Sequence, residues 1–257
     1  MKSVSTLLLA AAAIPATAQV SNVVYSVSAV SSLGAGQVEF TQSDVNVTDN
    51  GDGSFTLTFA GNIDILDGGG SGNVIATLTS ADVVIDPGFG NTDPRISLAF
   101  SVENGAADTV FSISSGTNMF GQLPSADALA VASVSLTTGD GSQIDASGLL
   151  GNATVGNNHF YGAFTGNSVD GDPSFPFTDG IAFLLPDAIS TSTSTISSDI
   201  DPFGPISGPF DAIAASFSFE LAANAQLSGT SNLIVTPTPG AAAIVALGGV
   251  VATRRRR

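Results

Sequence analysis

Between Gln19 and about Val235 the chain alternates apolar and polar residues with a period of two, and this constrains its fold more than any other feature. The pattern runs through Phe55-Thr56-Leu57-Thr58-Phe59, Ile96-Ser97-Leu98-Ala99-Phe100-Ser101-Val102, Val131-Ala132-Ser133-Val134-Ser135-Leu136 and Ser216-Phe217-Ser218-Phe219-Glu220-Leu221. In a strand, successive side chains point to opposite faces, so apolar groups collect on one face and hydroxyls on the other. The same reading predicts strands near Asn22–Val30, Gln37–Val47, Asn62–Leu66, Val74–Ile85, Thr109–Ile113, His159–Phe164, Gly180–Leu184 and Gln226–Val235.

Turn chemistry separates these segments. Asp49-Asn50-Gly51-Asp52-Gly53, Asp67-Gly68-Gly69-Gly70-Ser71-Gly72 and Gly139-Asp140-Gly141-Ser142 supply the positive φ angles that tight hairpins need. Short helices are expected only near Ser125–Ala130, Asp187–Ser190 and Asp211–Ala215. The stretch Asp170–Pro209 is rich in proline and carries a Ser/Thr run at Ser190–Ser198, so it reads as long loops over the sheet around one strand, Gly180–Leu184. Many short strands and no long amphipathic helix predict an all-β fold, an antiparallel β-sandwich of jelly-roll-like type in one domain, residues 19–235.

Composition narrows the chemistry. All 22 acidic residues fall within this body, where the only base is Arg95; the other bases are Lys2 and the last four arginines. Such a surface repels nucleic acid and anionic lipid, attracts cations and stays soluble by self-repulsion. The absence of Cys excludes disulfides, zinc–thiolate sites and thiol catalysis. Trp is absent and Tyr occurs twice, which weighs against an aromatic sugar-binding platform.

The two ends read as address labels. Met1-Lys2-Ser3, an apolar run from Val4 to Ile14, and Pro15-Ala16-Thr17-Ala18-Gln19 form a Sec-type signal peptide. Small residues at Ala16 and Ala18 fit signal peptidase, and cleavage is expected between Ala18 and Gln19, making residues 1–18 the leader. At the other end, Thr236-Pro237-Thr238-Pro239-Gly240 precedes an uncharged run, Ala241–Thr253, and then Arg254, Arg255, Arg256 and Arg257. The two prolines are expected to stop any strand before this tail. The run of 13 residues is shorter than the roughly 20 of a relaxed spanning helix, and Gly248-Gly249 weakens it further. The arginines hold the far end on the cytoplasmic side. A short hydrophobic tail helix of this kind suits transient retention in the membrane, followed by removal.

The order Pro237-Thr238-Pro239-Gly240, short Ala/Gly/Leu/Val helix, Arg cluster resembles the PEP-CTERM sorting signal, in the variant of planctomycete-like bacteria. The resemblance covers Thr236 to Arg257, residues 236–257, with Thr238 where the family's namesake motif has Glu. It implies an exosortase-like sorting enzyme as partner and a destination in the cell envelope or an extracellular polysaccharide matrix. It implies nothing about the body of the chain.

Within the body, His159 is the one histidine; it starts a predicted strand, lacks a Gly-x-Ser-x-Gly partner and reads as a surface residue at a strand edge. Glu39, Glu103 and Glu220 read as solvent-facing members of alternating strands rather than as paired catalytic carboxylates. Calcium is the one cofactor for which the residues offer ligands, with Asp49, Asp52, Asp170, Asp172, Asp199 and Asp201 as carboxylate donors in loops. None of these segments completes an EF-hand loop, and each also serves as an ordinary turn former. The sequence therefore predicts a secreted or cell-surface, non-catalytic envelope or matrix protein. A calcium-dependent or carbohydrate-binding adhesion module is the alternative, and a polysaccharide-active enzyme a third reading.

Overall fold

The computed structural model describes residues 23–59, 61–88, 93–138, 146–152, 156–166, 179–186, 188–189, 193–199 and 204–238. The described chain is almost entirely strand: β1 Val23–Ser31, β2 Gly34–Thr41, β3 Asn46–Asp49, β4 Phe55–Thr58, β5 Ile63–Leu66, β6 Val74–Asp86, β7 Arg95–Asn104, β8 Thr109–Ser115 and β9 Asn118–Thr138. There follow β10 Ala146–Gly148, β11 Leu150–Asn152, β12 Gly156–Gly166, β13 Asp179–Pro186, β14 Ala188–Ile189, β15 Thr193–Asp199, β16 Gly204–Leu221 and β17 Ala225–Pro237. Every described pairing is antiparallel.

The strands form one curled sheet with two panels. In the first, β2, β1, β8 and β16 lie side by side, and β12 and β10 pair with the far edge of β16. In the second, β3, β4, β6, β7, β17, β9 and β15 follow one another, with β5 beside the first half of β6. The first halves of β9 and β16 pair and join the panels. The inner faces meet through rings: Phe100 of β7 lies 4.9 Å from Phe217 and 5.9 Å from Phe219 on β16, and Phe111 stacks on Phe219 from β8. A second cluster, Tyr25, Phe40 and Phe59, closes the core under β1, β2 and β4.

The alternation in the sequence is the alternation in burial. Along β7, Ile96, Leu98, Phe100 and Val102 are buried, and Ser97, Ala99 and Ser101 are partly exposed between them. Buried apolar area of this kind, at roughly 25 cal/mol per Å² removed from water, is the main stabilising term for a chain without disulfides.

Two predicted helices are strands. Ser125–Ala130 lies within β9, where Ala126, Ala128 and Ala130 are buried in alternation and pair with β17. Asp211–Ala215 lies within β16, buried at all five positions because both faces of the strand are covered there. Alanine-rich runs have good helix propensity, but neighbouring strands on both edges decide the outcome. The third predicted helix is also not helical in its described part: Ala188–Ile189 is β14, while Asp187 and Ser190 lie outside the described residues.

The predicted strand Gln37–Val47 is two strands split by a 3-10 turn at Gln42–Asp44, where the Asp44 carboxylate accepts from both the N–H and the hydroxyl of Thr41. The stretch expected to be mostly loops carries β13, β14, β15 and the start of β16. Finally, β17 runs through Pro237, where proline was expected to stop it. Pro237 sits at the last rung, where a missing N–H costs the ladder least.

Candidate functional site

The acidic turns hold the candidate metal ligands. Asp49 and Asp52 flank the hairpin between β3 and β4. Asp49 Oδ1 accepts from the Gly51 N–H at 2.8 Å, and Asp52 Oδ1 accepts from the Ser54 N–H at 3.0 Å and the Ser54 hydroxyl at 2.6 Å. Gly51 has φ +78, which the tight turn requires. The bonds from Ser54 hold the Asp52 carboxyl below the usual carboxylate range, the hydroxyl contributing more than the N–H. Asp67, in the next hairpin, is lowered in the same way by the Gly69 N–H and then the Ser71 hydroxyl, and Asp44 by the Thr41 hydroxyl and then its N–H. These carboxylates are turn locks. Asp199 ends β15, and Asp170, Asp172 and Asp201 lie outside the described residues. Among the described residues no group of three or more acids or histidines is gathered around one point.

His159 is not at a strand edge. It is the fourth residue of β12, half-buried, paired with Leu150 of β11 and Pro186 of β13. Glu39, Glu103 and Glu220 stand exposed on β2, β7 and β16, as the alternation implied. Two tyrosines are fully buried. Burial, and then the nearby Asp82 charge, pushes the Tyr25 hydroxyl well above its ordinary pKa. Burial raises that of Tyr161 against a smaller opposing pull from the Ser231 hydroxyl, so both phenols stay neutral.

The outer faces carry ladders of small hydroxyls. On the first panel, Ser26, Ser114 and Ser216 fall in one row across β1, β8 and β16, and Ser28, Ser112 and Ser218 in the next. On the second, Ser101, Ser228 and Ser135 make a row across β7, β17 and β9, with Thr230 opposite Ser133 below it. The second set bonds internally: Ser228 donates to Ser101 at 3.1 Å, Gln226 donates to Ser101 at 3.2 Å, and Ser133 and Thr230 hydroxyls lie 2.8 Å apart. Around the small Ala99 the face sinks into a shallow trough of about 280 Å³, lined by Ser80, Ser101, Ser133, Ser135, Ser228 and Thr230.

Both described chain ends lie at one pole of the sheet. The Gly116 N–H donates to the Val24 carbonyl near the start of β1, and Asn118 bridges from there to the carbonyls of Asp86 and Arg95. Arg95 pairs with Ile234 near the end of β17. Past that rung, the Val235 N–H donates to the Pro94 carbonyl at 2.9 Å, and Thr236 Oγ1 donates to Asp93 Oδ2 at 3.0 Å. Thr238 Oγ1 donates to the Ser125 carbonyl at 3.1 Å and takes the Ser125 hydroxyl, 2.7 Å away, as its own donor. Of the tail residues, Pro237 lies within β17; Pro239, Gly240, Arg254, Arg255, Arg256 and Arg257 lie outside the described residues, as do Ala16, Ala18 and Gln19 at the other end. The expected tail helix falls in that same undescribed segment, and no helix among the described residues is long and apolar enough to cross a membrane.

Two structural residues escaped the sequence reading. Asn104, at the opposite pole, donates to the carbonyls of Ala107, Leu221 and Ala222 and so ties the β7–β8 turn to the β16–β17 turn. Asn118 does the equivalent work at the chain-end pole. The Asn104-Gly105 pair signals a turn, but nothing local signals the reach to Leu221.

No family model matches this chain. No curated protein matches it. Among solved structures, a chain from the infectious bursal disease virus Gx strain is 9% identical, with a TM-score of 0.23, over 84% of this chain and 73% of that one. The D431N mutant VP2 protein of infectious bursal disease virus, in derived T=1 particles, is 12% identical, with a TM-score of 0.12, over 92% of this chain and 72% of that one. At such scores the likeness carries no argument about fold type or role.

Proposed function

We propose that this chain is an exported, non-catalytic protein of the cell envelope or extracellular matrix, delivered by signal peptidase and sorted by an exosortase-like enzyme through its C-terminal tail. In this reading the curled sheet is a jelly-roll-like sandwich, touches the membrane only while the tail is present, and ends among extracellular polysaccharide. The observation that carries the reading is the character of the outer faces. They are rows of Ser and Thr hydroxyls, with Glu39, Glu103 and Glu220 dispersed over three strands rather than converging. Such faces offer hydroxyl donors and acceptors to water and to other hydroxylated surfaces. Mass spectrometry of the protein from cell fractions tests the proposal. Mature molecules beginning at Gln19 and lacking Arg254–Arg257 are expected; an intact arginine tail on every mature molecule would leave a plain membrane anchor instead.

A second reading, a calcium-dependent or carbohydrate-binding adhesion module, is favoured by the trough and by the excess of acids over bases. Its test is thermal melting with added calcium and with chelator. A rise in melting temperature with calcium supports a structural ion, since a ligand of the native state stabilises it by mass action; identical curves remove it.

A further inference from the structure

We infer that the fold itself sets the inner limit of tail processing: the first peptide bond open to a processing enzyme lies on the carboxyl side of Thr238. The biological meaning of this limit rests on the sorting proposal above; the limit itself rests on the end of β17. In the sequence, Thr236, Pro237 and Thr238 belong to the sorting tail. In the structure, they belong to the body. Thr236 and Pro237 are rungs of β17, opposite Asp127 and Ala126 of β9. On the other edge, the Val235 N–H is taken by the Pro94 carbonyl and the Thr236 hydroxyl by Asp93. Thr238 closes the end through its reciprocal pair of bonds with Ser125.

A protease or transpeptidase that works on peptide bonds binds its substrate extended, through main-chain hydrogen bonds along a free edge. The end of β17 has no such edge, because β9 occupies one side and the Asp93–Arg95 segment the other. Cutting before Thr238 would require β17 to peel out of the sheet and would bring Leu233 and Val235, both fully buried, into water. Where reclosing is faster than cutting, the cutting rate follows the small population of the opened form. Bonds up to Pro237–Thr238 are sheltered accordingly. The motif Pro237-Thr238-Pro239-Gly240 is thus divided: its first two residues are spent on the fold, and the enzyme that removes the tail must read from Pro239 onward. In hydrolysis the scissile acyl carbon gains the oxygen of water and the departing amine gains a proton. In transpeptidation an amine of the acceptor takes the place of water.

The test needs no sorting enzyme. The purified full chain in detergent is treated with a broad-specificity endoprotease under native conditions, and the C-terminus of the resistant body is read by intact-mass spectrometry. The expected body has lost Arg254–Arg257 and ends at Thr238 or beyond. An end before Thr238, or a tail that resists removal, would overturn the inference. A double variant, Asp93→Ala with Thr238→Val, is expected to move the end to before Thr236 while Thr238→Ser keeps the wild-type end. An unmoved end in a folded double variant would show that the threonine bonds do not set the limit. If instead cells retain the tail but this boundary holds, the sorting proposal fails and the sheltering stands.

Discussion

The β6–β7–β17–β9 panel and the β3–β4 flap are built from the same alternating sequence, yet they are held in different ways. The panel strands are 10 to 21 residues long, and most of their inward apolar residues are buried in the core. The flap strands have four residues each; β3 is exposed throughout, and of β4 only Leu57 is buried. The flap keeps its shape through Asp49, Asn50 and Asp52 bonding back onto Gly51, Ser54 and Thr56. Alternation alone therefore specifies a direction for each side chain. Burial gives that direction energy in the panel, and turn chemistry supplies what burial cannot in the flap.

This contrast can be broken from the panel side first. Phe217→Ala removes a fully buried ring that touches Phe100 and Tyr161, and denaturant unfolding is expected to show a loss of about 3–5 kcal/mol. Asn104→Ala leaves the carbonyls of Ala107, Leu221 and Ala222 without their shared donor, a loss of about 2–3 kcal/mol by the same measurement. In the flap, Gly51→Ala forces a side chain onto φ +78 with open space around it, so only backbone strain acts, about 1 kcal/mol. The smallest effect is Ser133→Ala on the outer face. Its bond to Thr230 is exposed, so unfolding should shift by less than about 0.5 kcal/mol. A Gly51 effect as large as that of Phe217 would erase the distinction between the two regions.

Acid sharpens the comparison without mutation. The Asp52 carboxyl is held below its ordinary range by Ser54, so it is lower in the folded than in the unfolded chain. Its contribution is complete above about pH 4, the unfolded carboxylate value, and is lost as pH falls through the lowered folded value. Protection of the Ser54 amide, measured relative to its intrinsic exchange rate at each pH, should fall on acidification through that window, before the amides of β17 lose protection. Simultaneous loss at both would mean the flap has no separate stability.

How much could be read beforehand follows from the same contrast. Ile96–Val102 and Gln226–Val235 declared themselves, because large apolar residues at every second position leave little alternative. Ser125–Ala130 and Asp211–Ala215 did not. Alanine is equally at home in a helix or against a sheet, and its partners on β17, β9 and β12 are remote in sequence. The Asp49–Gly53 turn was legible as a hairpin; the bonds that occupy Asp49 and Asp52 show why it is one. The anchoring of Thr236 and Thr238 was illegible for the opposite reason. Their partners Asp93 and Ser125 lie more than a hundred residues upstream, and a Thr-Pro repeat looks like a linker until its neighbours are known.

The position of β17 has a mechanical consequence. It runs through the middle of its panel toward the pole from which the tail departs, with hydrogen bonds perpendicular to it on both edges. Tension drawn along the tail therefore loads those bonds together, in shear, instead of unzipping them singly as a pull on an outer hairpin would. A tether leaving from a central strand makes the domain stiffest along the line on which its own attachment would pull. Single-molecule stretching from Thr238 should need markedly more force than stretching across the β3–β4 hairpin; equal forces would count against it.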